Sequence, residues 1–221
     1  MDILFLGHSA FEITTQGKKI LIDPFLACSP NYIPNGITDI FVTHGHSDHL
    51  GSSIEISSRT GAPITAVFEL GNYCMQNGAK VNSMGLGAWR EYEWGRAILV
   101  PAFHSSSTPD GRYAGSPCGI IFEIEGKTLY HAGDTSLNSE MKIIGDIYHP
   151  YISMLPIGGT YTMDIKHAII ASEWLKTTCI IPMHYNTFDA ISVNIDEFKN
   201  GILNFGKTPV IMEIGKAFYN F

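Results

Sequence analysis

Ile37-Thr38-Asp39-Ile40-Phe41-Val42-Thr43-His44-Gly45-His46-Ser47-Asp48-His49 is an apolar run that breaks into three histidines and an aspartate within six residues. The run 37–42 reads as a buried strand that delivers a loop. Imidazole is the commonest metal-binding side chain, and its neutral nitrogen suits zinc and its first-row neighbours. In extended chain, residues two apart project to the same side, so His44 and His46 can grip one ion together. Asp48 and His49 are adjacent, so the loop must turn for both to serve, and they more naturally face a second ion. The plainer reading is a polar loop whose histidines face solvent. The density of ligand types at ligand spacing argues against it. The remaining ligands must come from elsewhere in the chain.

At 221 residues the chain can bury one substantial core, and a single domain over 1–221 is expected. Hydrophobic residues make up 45% and charged residues 16%, the balance of a buried globular interior. The formal net charge is −7 and no basic run is longer than Lys18-Lys19, which argues against a protein that grips nucleic acid by its phosphates. A small anionic substrate is not excluded, because a metal site supplies its own positive charge. Cys28, Cys74, Cys118 and Cys179 form no CxxC pair, so neither a zinc knuckle nor a redox motif is present. With no signal-peptide pattern and no window long enough to span a membrane, the expected setting is the cytoplasm, with the cysteines as buried reduced thiols.

Along the chain, strands are expected at 3–6, 10–14 and 19–22, with Gln16-Gly17 as the turn between the last two. Residues 26–36, rich in proline and asparagine, read as a loop. A helix over 52–60, a strand at 63–67 and a helix over 69–77 follow, the last stopped by Gly78. The second half offers a strand at 97–101 and a hairpin, 119–125 to 127–131, about Glu125-Gly126. Helix potential over 140–148, a strand at 151–156, a helix over 165–176 and a strand at 179–182 come next. A helix over 195–204 and a hairpin, 210–214 to 217–221, close the chain. Strands in both halves with interspersed helices point to an α/β sandwich. GxGxxG and GxxxxGK[ST] loops are absent, which argues against nucleotide binding through them.

Four polar residues arrive just past apolar runs: His44 after 41–43, His104 after 99–103, Asp134 after 129–133 and His184 after 180–183. Strand ends at one sheet edge are where sites are built, so four such arrivals can converge. A lone histidine at a strand end is more often a structural hydrogen-bonder. As a set beside residues 44–49, however, these complete the ligands of two ions. The donors are all nitrogen or oxygen, which suits zinc, manganese or iron about equally by donor type; zinc is the first expectation and manganese the second. A Ser-His-Asp arrangement could be drawn only loosely from serines 105–107, and there is no GxSxG elbow.

The pattern HxHxDH at 44–49 with His104, Asp134 and His184 resembles the metallo-β-lactamase superfamily. Surrounding phrases such as Leu6-Gly7-His8-Ser9, Tyr130-His131-Ala132-Gly133-Asp134-Thr135 and Pro182-Met183-His184-Tyr185 resemble its small metal-dependent hydrolase branch related to ascorbate-6-phosphate lactonase. That resemblance implies a four-layer αββα sandwich. It implies His44, His46 and His104 on one ion, Asp48, His49 and His184 on a second, and Asp134 as bridge. A hydroxide held between two such ions would attack a small ester or lactone, with a phosphodiester or a non-catalytic ligand-binding module as alternatives. His46, where the redox di-iron branch has glutamate, argues against that branch. The branch often carries an acidic and then a basic residue where this chain has Gly159-Thr160, so a substrate choice resting on those side chains does not carry over.

Asp48 can orient the nucleophile, and His8, just past the first strand, can enter the cleft as a substrate or proton-transfer group or serve equally as a structural hydrogen-bonder. Asp23 is a candidate to hold a ligand histidine by its second nitrogen. His131 reads as a core residue, His149 and His167 as surface residues, and Trp89, Tyr92 and Trp94 as packing. Gly158-Gly159 suits close passage of backbone. The expected partners are a small-molecule substrate and, through the loop 24–37, a second copy of the chain. Neither nucleic acid nor membrane is expected.

Overall fold

The structure, a computed structural model, describes residues 1–219. The chain clusters into two compact units. One holds Met1–Ala88, Ser105–Pro117 and the segment from Met212; the other holds Trp89–His104 and Cys118–Ile211.

The first unit is built on a seven-stranded sheet. Its strands are β1 (Asp2–Gly7), β2 (Ala10–Thr15), β3 (Lys18–Ile22), β4 (Asp39–Phe41), β5 (Ile64–Val67) and β6 (Val81–Met84), in that spatial order. The two-residue strand Ala217–Phe218 lies antiparallel on the free edge of β1. β1 to β3 are antiparallel, and β3 to β6 are parallel. The β2–β3 turn has Gln16 at φ 48° and Gly17 at φ 75°, the left-handed pair that matches the twist of a two-residue hairpin. Parallel strands need crossovers, and α1 (Ser47–Leu50), α2 (Ser53–Thr60) and α3 (Phe68–Gln76) fall in them. α2 stops on Gly61 at φ 76°, a left-handed end that glycine adopts without strain. Ile20, Leu21, Ile22, Ile40, Phe41, Ile64 and Ala66 are fully buried, as expected where a parallel sheet is covered on both faces.

The second unit repeats the plan. β7 (Trp89–Tyr92), β8 (Gly95–Pro101), β9 (Cys118–Ile124) and β10 (Lys127–His131) are antiparallel neighbours. β10, β11 (Ile152–Pro156), β12 (Cys179–Met183) and β13 (Thr208–Pro209) are parallel. The crossover helices are α4 (Glu140–Tyr148), α5 (Ile165–Trp174) and α6 (Ile195–Asn204). Asp164 and Asn194 cap the last two by accepting from His167 N at 2.8 Å and Asp196 N at 3.1 Å. Glu125 at φ 51° and Gly126 at φ 75° form the β9–β10 turn. Trp94 is buried, stacked on Tyr92 at 4.6 Å and tilted against Phe122 at 5.9 Å, the packing role expected of it. Trp89 lies under the Arg96 guanidinium at 4.3 Å. Burial also lifts the Cys74 thiol to about 12, which keeps it protonated and inert.

Two mixed sheets with helices are the composition that the α/β sandwich expectation requires. Several elements differ in detail. The strand expected at 37–42 is shorter, spanning only Asp39–Phe41. β6 and β7 were not anticipated: they are four-residue edge strands with polar faces, and a short edge carries no periodic apolar signal. The C-terminal hairpin does not form. Thr208–Pro209 pairs with β12 and Ala217–Phe218 with β1, so the two segments join different sheets; residues 220–221 of that hairpin lie outside the described residues. Pro209, which cannot donate to a ladder, sits on an edge as it must. Among the described residues no helix is long and apolar enough to cross a membrane.

Candidate metal centre

In the first unit, the carboxyl ends of the neighbouring parallel strands β3 and β4 present Asp23 and His44. Asp23 is fully buried at φ 43°. Its Oδ1 accepts Thr43 N at 2.8 Å; its Oδ2 lies 2.7 Å from Thr43 Oγ1 and 2.7 Å from His49 Nδ1. An ionised carboxylate only accepts, so the His49 proton is on Nδ1 and Nε2 keeps its lone pair. The single hydroxyl hydrogen of Thr43 goes to Asp23, so the contact between Thr43 Oγ1 and His44 Nδ1, 3.1 Å, has His44 as donor. Asp23 therefore sets the tautomer of two histidines at once, one directly and one through Thr43. It was anticipated for one histidine; the role of Thr43 was not.

His44 Nε2, with its lone pair so assigned, lies 3.0 Å from His46 Nδ1, while His46 Nε2 is 3.4 Å from the Ser105 hydroxyl. Two nitrogens on one zinc, each at 2.0–2.1 Å, sit about 3.3 Å apart in tetrahedral geometry. The donor set thus fits a divalent ion. Gly45 lets this happen: a Cβ there would lie 2.5 Å from Ala114 Cβ and 2.9 Å from the Ser107 carbonyl oxygen. The next residues wind into the single turn α1, which brings Asp48 and His49 round. One ligand atom each of His8, Asp48 and His49 lies within 4.8 Å of the others. His8, at φ 56° in the β1–β2 turn, places Nε2 at 3.0 Å from Asp48 Oδ2.

In the second unit, β8 and β10 run in the same direction, and β10, β11 and β12 are parallel, so their carboxyl ends share one edge. That edge carries His104, Asp134, the loop 157–164 and His184. Asp134 is 3% exposed; its Oδ2 lies 3.0 Å from His184 Nε2 and 3.5 Å from His104 Nε2. One carboxylate oxygen therefore faces two imidazoles. His184 is left-handed at φ 55°, and Thr160 and Asn186 on neighbouring loops are at 46° and 55°. Gly158 packs against the His184 carbonyl, where a Cβ would come within 2.3 Å of the oxygen. Burial raises the pKa of Tyr185, which holds its hydroxyl neutral beside this edge. His131 is buried and its Nδ1 accepts Gly133 N at 3.2 Å, supporting the turn before Asp134. His149 and His167 are exposed.

Non-glycine residues at positive φ cost about 1–3 kcal/mol each and collect at functional sites. His8, Asp23, Thr160, His184 and Asn186 all belong to that class, and all lie on the strand-end loops just described.

The family model of the Beta-lactamase superfamily domain matches residues 2–184. A UPF0173 metal-dependent hydrolase of Carboxydothermus hydrogenoformans is 43% identical over 206 residues, covering 90% of this chain and 91% of the relative. Another, from Bacillus cereus, is 38% identical over 226 residues, covering 98% and 99%. Among solved structures, Igni18, a metallo hydrolase from the hyperthermophilic archaeon Ignicoccus hospitalis, is 35% identical with a TM-score of 0.90, covering 100% of this chain and 98% of that one. With histidines and aspartates at strand ends that could hold metal, and with these relatives over 90–100% of its length, the chain belongs to the metallo-β-lactamase superfamily and is one of its metal-dependent hydrolases.

Proposed function

We propose that the chain acts as a single-domain, cytoplasmic hydrolase with two divalent ions, zinc foremost and manganese or iron as substitutes. His44, His46 and His104 would hold one ion, Asp48, His49 and His184 the other, and Asp134 would bridge them. The observation that carries this reading is the convergence of the His44 Nε2 and His46 Nδ1 nitrogens at 3.0 Å, with the His44 Nδ1 proton committed to the Thr43–Asp23 relay. When bound, such ions lower the pKa of a water towards neutrality and polarise the bond under attack. The protein's own part is orientation and proton handling. Asp48 accepts the nucleophile's proton, and His8 Nε2, 3.0 Å away, is the neighbour with which that proton can be exchanged as the leaving group departs.

The substrate we propose is small and uncharged at its reacting end, an ester or lactone. Segments 102–104, 132–139, 157–163 and 184–192, which flank the ligands of the second unit, contain no lysine or arginine. A site built to clamp a transferring phosphoryl group uses such cations. Nucleic acid and membrane are not proposed as partners; self-association through the loop 24–37 is.

Metal stripping followed by a panel of esters, lactones and phosphodiesters tests this. Dialysis against a strong chelator is expected to abolish turnover, and zinc or manganese to restore it on esters or lactones. Turnover of phosphodiesters alone would transfer the reading to that class. A metal-dependent rise in melting temperature with no turnover at all would reduce the protein to a ligand-binding module.

A further inference from the structure

Thr135 follows Asp134 directly and is fully buried. Its hydroxyl accepts Phe103 N at 3.0 Å and Asn138 Nδ2 at 3.1 Å, and lies 2.9 Å from the Ser136 carbonyl, to which it donates. A hydroxyl has one hydrogen and two lone pairs, so all three are in use. The Ser136 amide returns to the Phe103 carbonyl at 3.1 Å, and the Thr135 carbonyl accepts Met163 N at 3.0 Å. Phe103 immediately precedes His104. The side chain and backbone of one residue thus tie three segments together: the arm ending in His104, the loop carrying Asp134, and the loop 157–164. His104 comes to the edge from β8 and Asp134 from β10, strands separated by β9, so no ladder hydrogen bond joins the two directly. The Thr135 hydroxyl supplies a direct tie.

We propose that Thr135 is a positioning residue for the metal site, holding His104 and Asp134 at a common spacing from its place outside the ligand set. The inference rests on the metal reading above. The hydroxyl is the essential group, and branching at Cβ sharpens its aim by confining χ1. Thr135→Val keeps shape and branching while deleting the hydroxyl; Thr135→Ser keeps the hydroxyl and loosens its aim.

The test is cobalt(II) uptake by metal-free protein, measured by competition with a chromophoric chelator, with the visible spectrum recorded at saturation. T135V is expected to bind about 10–100-fold more weakly, the usual cost of removing a group that orients ligands, and to show shifted bands. T135S is expected to recover most of the affinity. The melting temperatures of the metal-free variants are followed in parallel. Wild-type affinity and spectrum in T135V would overturn the proposal, as would T135S binding no better than T135V. It is also overturned if the affinity loss only tracks a fall in metal-free stability. Wild-type protein that takes up no cobalt(II) would overturn the metal reading itself and this proposal with it.

Discussion

Asp134→Asn is expected to cut turnover by about 10²–10³-fold or more, the scale on which one electrostatic element of an active site is felt, and to lower metal occupancy with it. The substitution preserves shape almost completely, so the loss isolates charge. In the native protein a carboxylate oxygen faces His184 Nε2 at 3.0 Å and His104 Nε2 at 3.5 Å, with 3% of the residue exposed. An asparagine there offers either a neutral oxygen, a poor ligand for a hard cation, or an amide that points hydrogens at whatever the imidazoles would share. Neither would compensate the repulsion between the two ions proposed above. Parallel measurement of kcat and metal content by elemental analysis checks it. Full activity with full metal content in this variant would refute the proposed bridging role.

Asp23→Ala is expected to lower stability and metal affinity together, by separable mechanisms. Deleting the carboxylate leaves the Thr43 amide, the Thr43 hydroxyl and His49 Nδ1 without their acceptor in a fully buried place. Unmade buried hydrogen bonds of this kind cost about 1–3 kcal/mol each, so a total near 3 kcal/mol is a conservative expectation. At about 2–4 °C per kcal/mol for a chain of this size, the melting temperature should fall by about 6–12 °C. The same change releases the tautomers of His44 and His49, for which about 10–100-fold in metal affinity is expected. Asp23→Asn separates the two effects. It keeps an acceptor for Thr43 but has one oxygen where two were used, so stability returns in part while His49 loses its fixed tautomer. Differential scanning fluorimetry of metal-free protein and a metal titration read these out. An unchanged melting temperature in D23A would contradict the network.

The parts of the site legible in the sequence were those whose chemistry is carried by residue type. Imidazoles two apart after an apolar run, and single histidines or an aspartate after other runs, announce a metal site whatever the backbone does next. Asp23 was readable for a related reason, because a buried carboxylate at a strand end must serve a donor. What the sequence did not disclose is where polar atoms meet. Thr43 and Thr135 are ordinary threonines at ordinary strand ends, and their importance lies in partners that are distant in the chain. The left-handed backbone at His8, Asp23, Thr160 and His184 was invisible for the opposite reason: glycine or asparagine signals such geometry, and although Gly7 (φ 98°), Gly159 (φ 68°) and Asn186 (φ 55°) mark three of these loops, nothing in the letters His, Asp or Thr says that they share it. In the fold, the two left-handed hairpin turns were evident from Gln16-Gly17 and Glu125-Gly126. The edge strands and the parting of the C-terminal segments to different sheets were not, since edge pairing leaves no periodic apolar trace.

Each sheet has an antiparallel side with two-residue hairpin turns, residues 102–117 being the long exception between β8 and β9, and a parallel side closed by long crossovers, and this bears on the order of events during folding. Hairpins form in about 1–10 μs, whereas parallel pairing must first close a long loop and is intrinsically slow. Asp23, His44, Asp134 and His184 all stand at the ends of strands with a parallel neighbour. The metal site is therefore expected to be assembled late, after the rate-limiting barrier. Interactions formed beyond the barrier change unfolding rather than folding rates. Bound metal should then lengthen the lifetime of the native protein while refolding proceeds at the same rate with or without chelator, and a refolding rate that rises with added zinc would contradict that order.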